Sequence, residues 1–240
     1  MAYAGPTYEI RFVQARLSDL DGLVRTVERA GKRDLALVDA NLILHGLFPW
    51  ADTRAKHGFR EKQLDFAGRV MQNLSVGRND SAYAPAFFGP NHLEIKTQIR
   101  NFSYQYRSEF YKWLSATTSM QQIIFLEADV FVSLPEDIRN CFLRYCKGNA
   151  GSNMFDKALL SAAILIAKNT GLEVLVASHD QDITNSMLGP MLKEYGVLVN
   201  DAEGLHKLLT KGLPPPKKVA VPAAVRTMPG YAPASQQSQP

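Results

Sequence analysis

The sequence predicts an α/β protein with three layers, a parallel sheet covered by helices on both faces, interrupted by a helical insertion. Two observations carry this expectation. Short, continuously apolar segments at 35–38, 123–126, 174–177 and 197–199 alternate with longer segments of helical periodicity. Strands apolar at every position belong in sheets buried on both sides. The second observation is the stretch 156–169, apolar almost all round, as befits a helix held between a sheet and its neighbours.

The elements follow in order. A first strand is expected over 8–14. Residues 17–30 form an amphipathic helix with Leu20, Leu23, Val24 and Val27 on one face, and Ser18 with Asp21 resembles a capping box. The apolar strands end at Asp39, at Glu127 and at Ser178, with 197–199 as the fourth of the set. Helical patterns at 136–147, 155–169 and 184–195 connect the later strands, and 201–211 close the body.

Residues 50–122 break this rhythm. They carry ten Lys and Arg against six Asp and Glu, and nine aromatics fall within 83–113. Most of 92–118 reads as one long helix with Ile95, Ile99, Phe102, Tyr106 and Phe110 on one side. Such a segment is either an insertion with its own aromatic core or a basic, aromatic surface for single-stranded nucleic acid. The organisation expected is thus an N-terminal strand and helix (1–34) packed on a core domain (35–212) with the insertion at about 50–122. A Pro-rich tail (213–240) follows.

That tail has seven prolines in 28 residues, three basic side chains and no acidic one, so it lacks the apolar content for a core and is expected to be disordered. It serves as a solubilising extension or binds a protein partner. Without it the chain holds 24 basic and 23 acidic residues. The isoelectric point near 9.0 is therefore largely the tail's, and any nucleic-acid surface on the body is a local patch. Self-association into a homo-oligomer is compatible with the sequence. The longest apolar run, 158–167, is about half the ~20 residues of a membrane span, and the first residues lack the pattern of a secretory signal. Cys141 and Cys146, five apart in a helical pattern, make neither a disulfide framework nor a metal motif. A cytoplasmic location is expected.

In an open parallel sheet, ligands bind beyond the carboxyl ends of the strands. One strand here runs into Asp39-Ala40-Asn41 and another into Ser178-His179-Asp180-Gln181-Asp182, while the helix between opens with Asp156. Each acid alone has an ordinary explanation, as a helix cap or an N-terminal charge on the helix dipole. At one edge of one sheet, however, carboxylates repel one another and call for a counter-ion. A hard divalent cation, Mg²⁺ or Mn²⁺, prefers oxygen ligands and bridges to phosphate oxygens. Asn41 would orient a carboxylate or a water, and Ser178 would bond Asp180 or a phosphate. Arg100 and Arg107, seven apart in the expected long helix, would grip the nucleic-acid backbone. The sequence has no phosphate-binding glycine loop of the Walker type, no G-x-S-x-G, no H-E-x-x-H and no Cys/His cluster.

An apolar strand ending in D-x-N, a helix-opening Asp and a later strand ending in S-x-D-x-D resemble the PIN-like nucleases, specifically the NYN branch. The correspondence covers 35–48 and 147 to about 209, with helix, Gly196 and strand following the second motif as in the family. Ala40 stands where the family usually has Gly, Ile183 where Phe is customary, and Lys147-Gly148 matches the K-G-x-D element loosely. The resemblance implies a metal-dependent ribonuclease acting on RNA, with Asp39, Asp156, Asp180 and Asp182 as metal ligands. It also implies a further acid, for which Glu127, Asp129 and Glu136 are candidates. A catalytically inactive, nucleic-acid-binding or scaffold protein on the same fold is the alternative. A nucleotide-sugar glycosyltransferase with Asp180-Gln181-Asp182 as its D-x-D element would leave Asp39 and Asp156 without a role. His45 and His179 lie near the acids and are expected to be incidental polar residues.

Overall fold

The computed structural model describes residues 13–47, 61–75, 81–100, 107–108, 111–112, 123–145, 154–184 and 186–210. Its elements are β1 (Val13–Arg16), α1 (Leu20–Arg29), β2 (Asp34–Val38), α2 (Ala40–Leu47), α3 (Glu61–Ser75), β3 (Tyr83–Phe88) and α4 (Gly89–Ile99). They continue with β4 (Ile124–Glu127), α5 (Glu136–Tyr145), α6 (Met154–Thr170), β5 (Val174–Ala177), α7 (Leu188–Glu194), β6 (Val197–Asn200) and α8 (Ala202–Leu209). The strands form one six-stranded sheet ordered β1-β4-β3-β2-β5-β6, and every neighbouring pair is parallel. The expected α/β class with a parallel sheet is present.

Two apolar clusters lie on the two faces of the sheet, as alternating strand side chains require. Leu35, Leu37, Ala86, Phe88, Val174 and Val176 join residues of α1, α5, α6 and α7 on one face. Ala36, Val38, Phe87, Leu175 and Ala177 join α2, α3, α4 and α8 on the other. Strands such as β2 and β5, buried at every residue, thereby acquire their uniformly apolar sequences. Helix α6 buries Leu159, Leu160, Ala162, Ala163, Ile164 and Ile166, consistent with its nearly all-round apolar pattern. Gly46 sets the close approach of α2 to α3: a Cβ there would lie 2.6 Å from the Ala67 carbonyl oxygen and 2.5 Å from the Met71 side chain.

The segment 50–122 differs from the helical insertion expected. It supplies α3, then β3, an interior strand between β4 and β2, then α4. The long helix expected over most of 92–118 is also corrected: α4 starts at Gly89 with Pro90 in its first turn and ends at Ile99, Arg100 being its C-cap. Residues 101–106 lie outside the described residues. Pro85 is admitted to an interior strand because β3 begins to pair with β4 only at Ala86, one residue later, so its missing N–H costs no bond of that ladder.

At the start of the chain, the strand expected over 8–14 is described as Val13–Arg16, and 1–12 lie outside the described residues. The capping box is likewise displaced. Asp19 is the N-cap of α1 and accepts from Gly22 N at 2.8 Å, while Ser18 turns to Asp129, which accepts from its backbone N and its hydroxyl. Cys141 is a buried free thiol. Cys146, Lys147-Gly148 and the tail 213–240 lie outside the described residues. Among those described, no helix is long and apolar enough to cross a membrane.

Candidate active site

The strand order creates a switch point. From β2 the chain builds outward through β3 and β4, then returns to place β5 on the other side of β2. The crevice beyond the carboxyl ends of β2 and β5 is where such sheets bind ligands. Asp39 follows β2 directly and Ser178 follows β5, with Val38 paired to Ala177 in register. Backbone bonds fasten both exits: Asp39 N to Ala177 O at 2.9 Å, and Ser178 N to Asn200 O at 3.0 Å. Helix α6 runs back toward β5, which puts its first turn, with Asp156, at this same edge.

Asp39 is fully buried. Its Oδ1 accepts from Ala40 N and from Asn91 Nδ2, both at 2.7 Å, and its Oδ2 accepts from the Ser178 hydroxyl at 2.7 Å. Burial nevertheless pushes its carboxyl up to about 6, helped by the nearby Asp180 charge and opposed by Ser178 and by the backbone N–H groups of Ala40 and Asn41. Asn41 thus acts on the site through its backbone. Ser178 also accepts from Asp180 N at 2.8 Å, and Asp180 Oδ1 accepts from Asp182 N at 2.7 Å. One hydroxyl therefore ties the acid after β2 to the acid after β5.

Asp156 is buried in the first turn of α6. Burial raises its carboxyl to about 8, reinforced by the charges of Asp39, Asp180, Glu94 and Asp182 in that order. The charges of Asp39, Asp180 and Asp182 all act on Asp156, and Asp39, Asp156 and Asp180 sit where β2 ends, α6 opens and β5 ends, at one edge of the sheet. Among the described residues, no three His, Cys, Asp or Glu side chains are gathered as a ready ligand set for a metal. The donors are nonetheless all carboxylate oxygens, and their mutual repulsion is what a hard divalent cation relieves.

The further acid in the cluster is Glu94, on α4. Burial raises it to about 7, with Asp39 and Asp180 adding to the rise. The three acids named from the sequence lie elsewhere. Glu127 pairs with Arg16 at 3.4 Å across exposed surface, Asp129 holds Ser18, and Glu136 pairs with Arg139 at 3.7 Å along α5. Glu94 and its neighbour Asn91, three residues apart on one helix face, were legible only as a strand followed by Pro90 and a helix.

The histidines pair with each other. Their Nδ1 atoms are 3.3 Å apart and their rings stack with centroids 5.6 Å apart. Burial, followed by the His45 charge, pushes His179 down to about 4, so it is neutral at physiological pH. Arg100 and Arg107 are both exposed, but α4 ends before Arg100, so the shared helical face expected for them is not formed by α4. No protein-family model matches the chain, and no curated protein matches it.

Proposed function

We propose that the chain is a metal-dependent ribonuclease of the PIN-like type, NYN branch, cleaving phosphodiester bonds of RNA. The observation that supports this best is the focus of acids from separate elements on the switch point: Asp39 after β2, Asp180 and Asp182 after β5, Asp156 on α6 and Glu94 on α4. Asp39, Asp156, Asp180 and Glu94 would hold Mg²⁺ or Mn²⁺, with Asp182 at the margin. When bound, such a cation activates water and offsets charge developing on a phosphodiester. The chain's own contribution is positional. Ser178 and Asn91 fix both oxygens of Asp39, and Ser178 simultaneously fixes the backbone at Asp180. Single-stranded RNA would reach this edge past exposed Arg100 and Arg107.

A binding protein without catalysis is the second reading, favoured by the satisfaction of Asp39: fully buried, with three donors on its carboxylate, it is a self-sufficient structural group. Incubating the protein with end-labelled single-stranded RNA, in Mn²⁺ or in chelator, separates the two. Cleavage that needs Mn²⁺ and disappears in Asp156→Asn is the expected result. Metal-independent cleavage, or retention of RNA without any cleavage in Mg²⁺ or Mn²⁺, would overturn the nuclease reading.

A further inference from the structure

A cleft of about 380 Å³ lies beside the acidic edge, lined by Thr184, Ser186, Gly189, Pro190, Asn200 and Asp201 among others. Its walls are continuous with the site. Thr184 bonds the Asp180 carbonyl through both its N–H, at 2.9 Å, and its hydroxyl, at 2.8 Å, and Asn200 O receives the Ser178 N–H. The lining offers hydroxyls from Thr184 and Ser186, a carboxamide from Asn200, the Asp201 carboxylate, and the apolar surfaces of Pro190 and Val199. Asp201 Oδ1 caps α8 by accepting from Gly204 N at 2.9 Å, which leaves Oδ2 for another donor.

We propose that this cleft holds a nucleoside of the RNA strand, one that adjoins the phosphodiester at the acidic cluster. The inference rests on the nuclease reading for its strand but on the cleft's chemistry for its ligand. No lining residue is cationic, so the cleft suits the uncharged part of a nucleotide rather than its phosphate. The carboxylate matches the paired hydroxyls of a ribose, since a carboxylate only accepts. The carboxamide reads a base edge with a donor and an acceptor together, and the proline ring and Val199 offer an apolar surface to the base. The volume falls near the lower end of small-molecule clefts, ~300–1,000 Å³, a size that suits one nucleoside.

Gly189 gives a clean test, because a Cβ added there meets no atom within 4 Å and its backbone is helical. Gly189→Leu therefore adds an apolar side chain to the cleft wall at a position with room for its Cβ, and Asn200→Ala removes one polar contact while keeping the backbone carbonyl that holds Ser178. Adenosine, guanosine, cytidine and uridine are titrated separately into the full chain in chelator, following backbone amide resonances. A short, non-hydrolysable oligoribonucleotide is titrated in parallel. The expected result is that at least one nucleoside shifts the amides of Ser186, Gly189 and Asn200, that the oligonucleotide binds about tenfold more tightly or better, and that Gly189→Leu abolishes both sets of shifts. In Mn²⁺, the same variant should raise KM for RNA about tenfold with kcat within about twofold, a difference near 1.4 kcal/mol. Absence of shifts at these amides, or shifts unchanged in Gly189→Leu, overturns the cleft assignment. Equal affinity for nucleoside and oligonucleotide overturns its assignment to an RNA strand. If the wild type cleaves no RNA, the nuclease reading fails, yet the nucleoside titration still decides the cleft.

Discussion

Asp39 receives three hydrogen bonds and still holds its proton to about pH 6, because burial outweighs the donors. Replacement by Asn keeps the size. The new carbonyl oxygen can take the Ala40 and Asn91 donors, and the Ser178 hydroxyl can reverse to accept from the new amide. Asp39→Asn is therefore expected to reduce RNA cleavage to the level of the chelator control, with melting within a few degrees of the wild type. Wild-type cleavage would remove Asp39 from the site, and loss of the folded circular dichroism spectrum would make it structural. Ser178→Ala, in contrast, is expected to lower stability. It leaves the buried Asp39 Oδ2 and the Asp180 N–H short of a partner, at a cost of about 1–3 kcal/mol, and raises the Mn²⁺ needed for half-maximal cleavage by about tenfold or more. An unchanged Mn²⁺ requirement would deny Ser178 its positioning role. At this scale the sequence was informative where chemistry sits beside a strand end: Asp39, Ser178 and Asp180 adjoin apolar runs that announce the strands. Asn91 was not legible, since its role depends on a 2.7 Å contact to a residue 52 positions away.

Among the elements, β2, β5 and α6 were legible because burial on all sides leaves an unbroken apolar run. The pair β3–α4 was not. Tyr-Ala-Pro-Ala-Phe-Phe carries a proline that argues against an interior strand, and only the shortness of β4 excuses it. With β3 hidden by its proline, α4 reads as continuous with the residues after it, and no strand end marks the acid it carries. Helix α4 now has a specific test. Glu94 accepts from Gln98 Nε2 at 3.1 Å, a bond that a glutamine at 94 can keep through its own carbonyl oxygen. Glu94→Gln removes one of the mutually repelling charges, so in chelator at pH 8 it should melt higher than the wild type. About 1 kcal/mol corresponds to about 2–4 °C in a domain of 150–250 residues. In Mn²⁺, cleavage should fall sharply. A lower melting point with cleavage intact would return Glu94 to the status of a surface residue.

Over the whole molecule, the buried and half-buried acids and histidines impose opposite pH dependences. In the folded chain Asp39, Glu94 and Asp156 hold protons to about 6, 7 and 8, against ordinary values of 3.8 for Asp and 4.5 for Glu. The folded state therefore binds more protons than the unfolded one from about pH 4 to about pH 8, and stability falls as pH rises through that range. His92 and His179, both held near 4 against an ordinary 6.5, chiefly by burial, bind fewer protons folded than unfolded. Their contribution rises with pH, is half complete at about 6.5 and levels off about one unit higher. Up to there the two trends oppose each other, but above about 6.5 the loss from Asp156 and Glu94, still titrating, outweighs the remaining gain from the histidines. In chelator, then, the melting temperature should fall between pH 6.5 and pH 8.5, and Asp156→Asn should flatten that fall. A divalent cation takes the place of the protons that the cluster loses, so Mn²⁺ should raise the melting temperature more at pH 8.5 than at pH 6.5. Calorimetric scans of the wild type and Asp156→Asn at the two pH values, each with Mn²⁺ and with chelator, read all of these effects together. A wild-type melting temperature that climbs from pH 6.5 to pH 8.5 in chelator would refute the repelling cluster. A Mn²⁺ shift that is independent of pH, or equal in Asp156→Asn, would place the cation somewhere other than the carboxyl edge of β2 and β5.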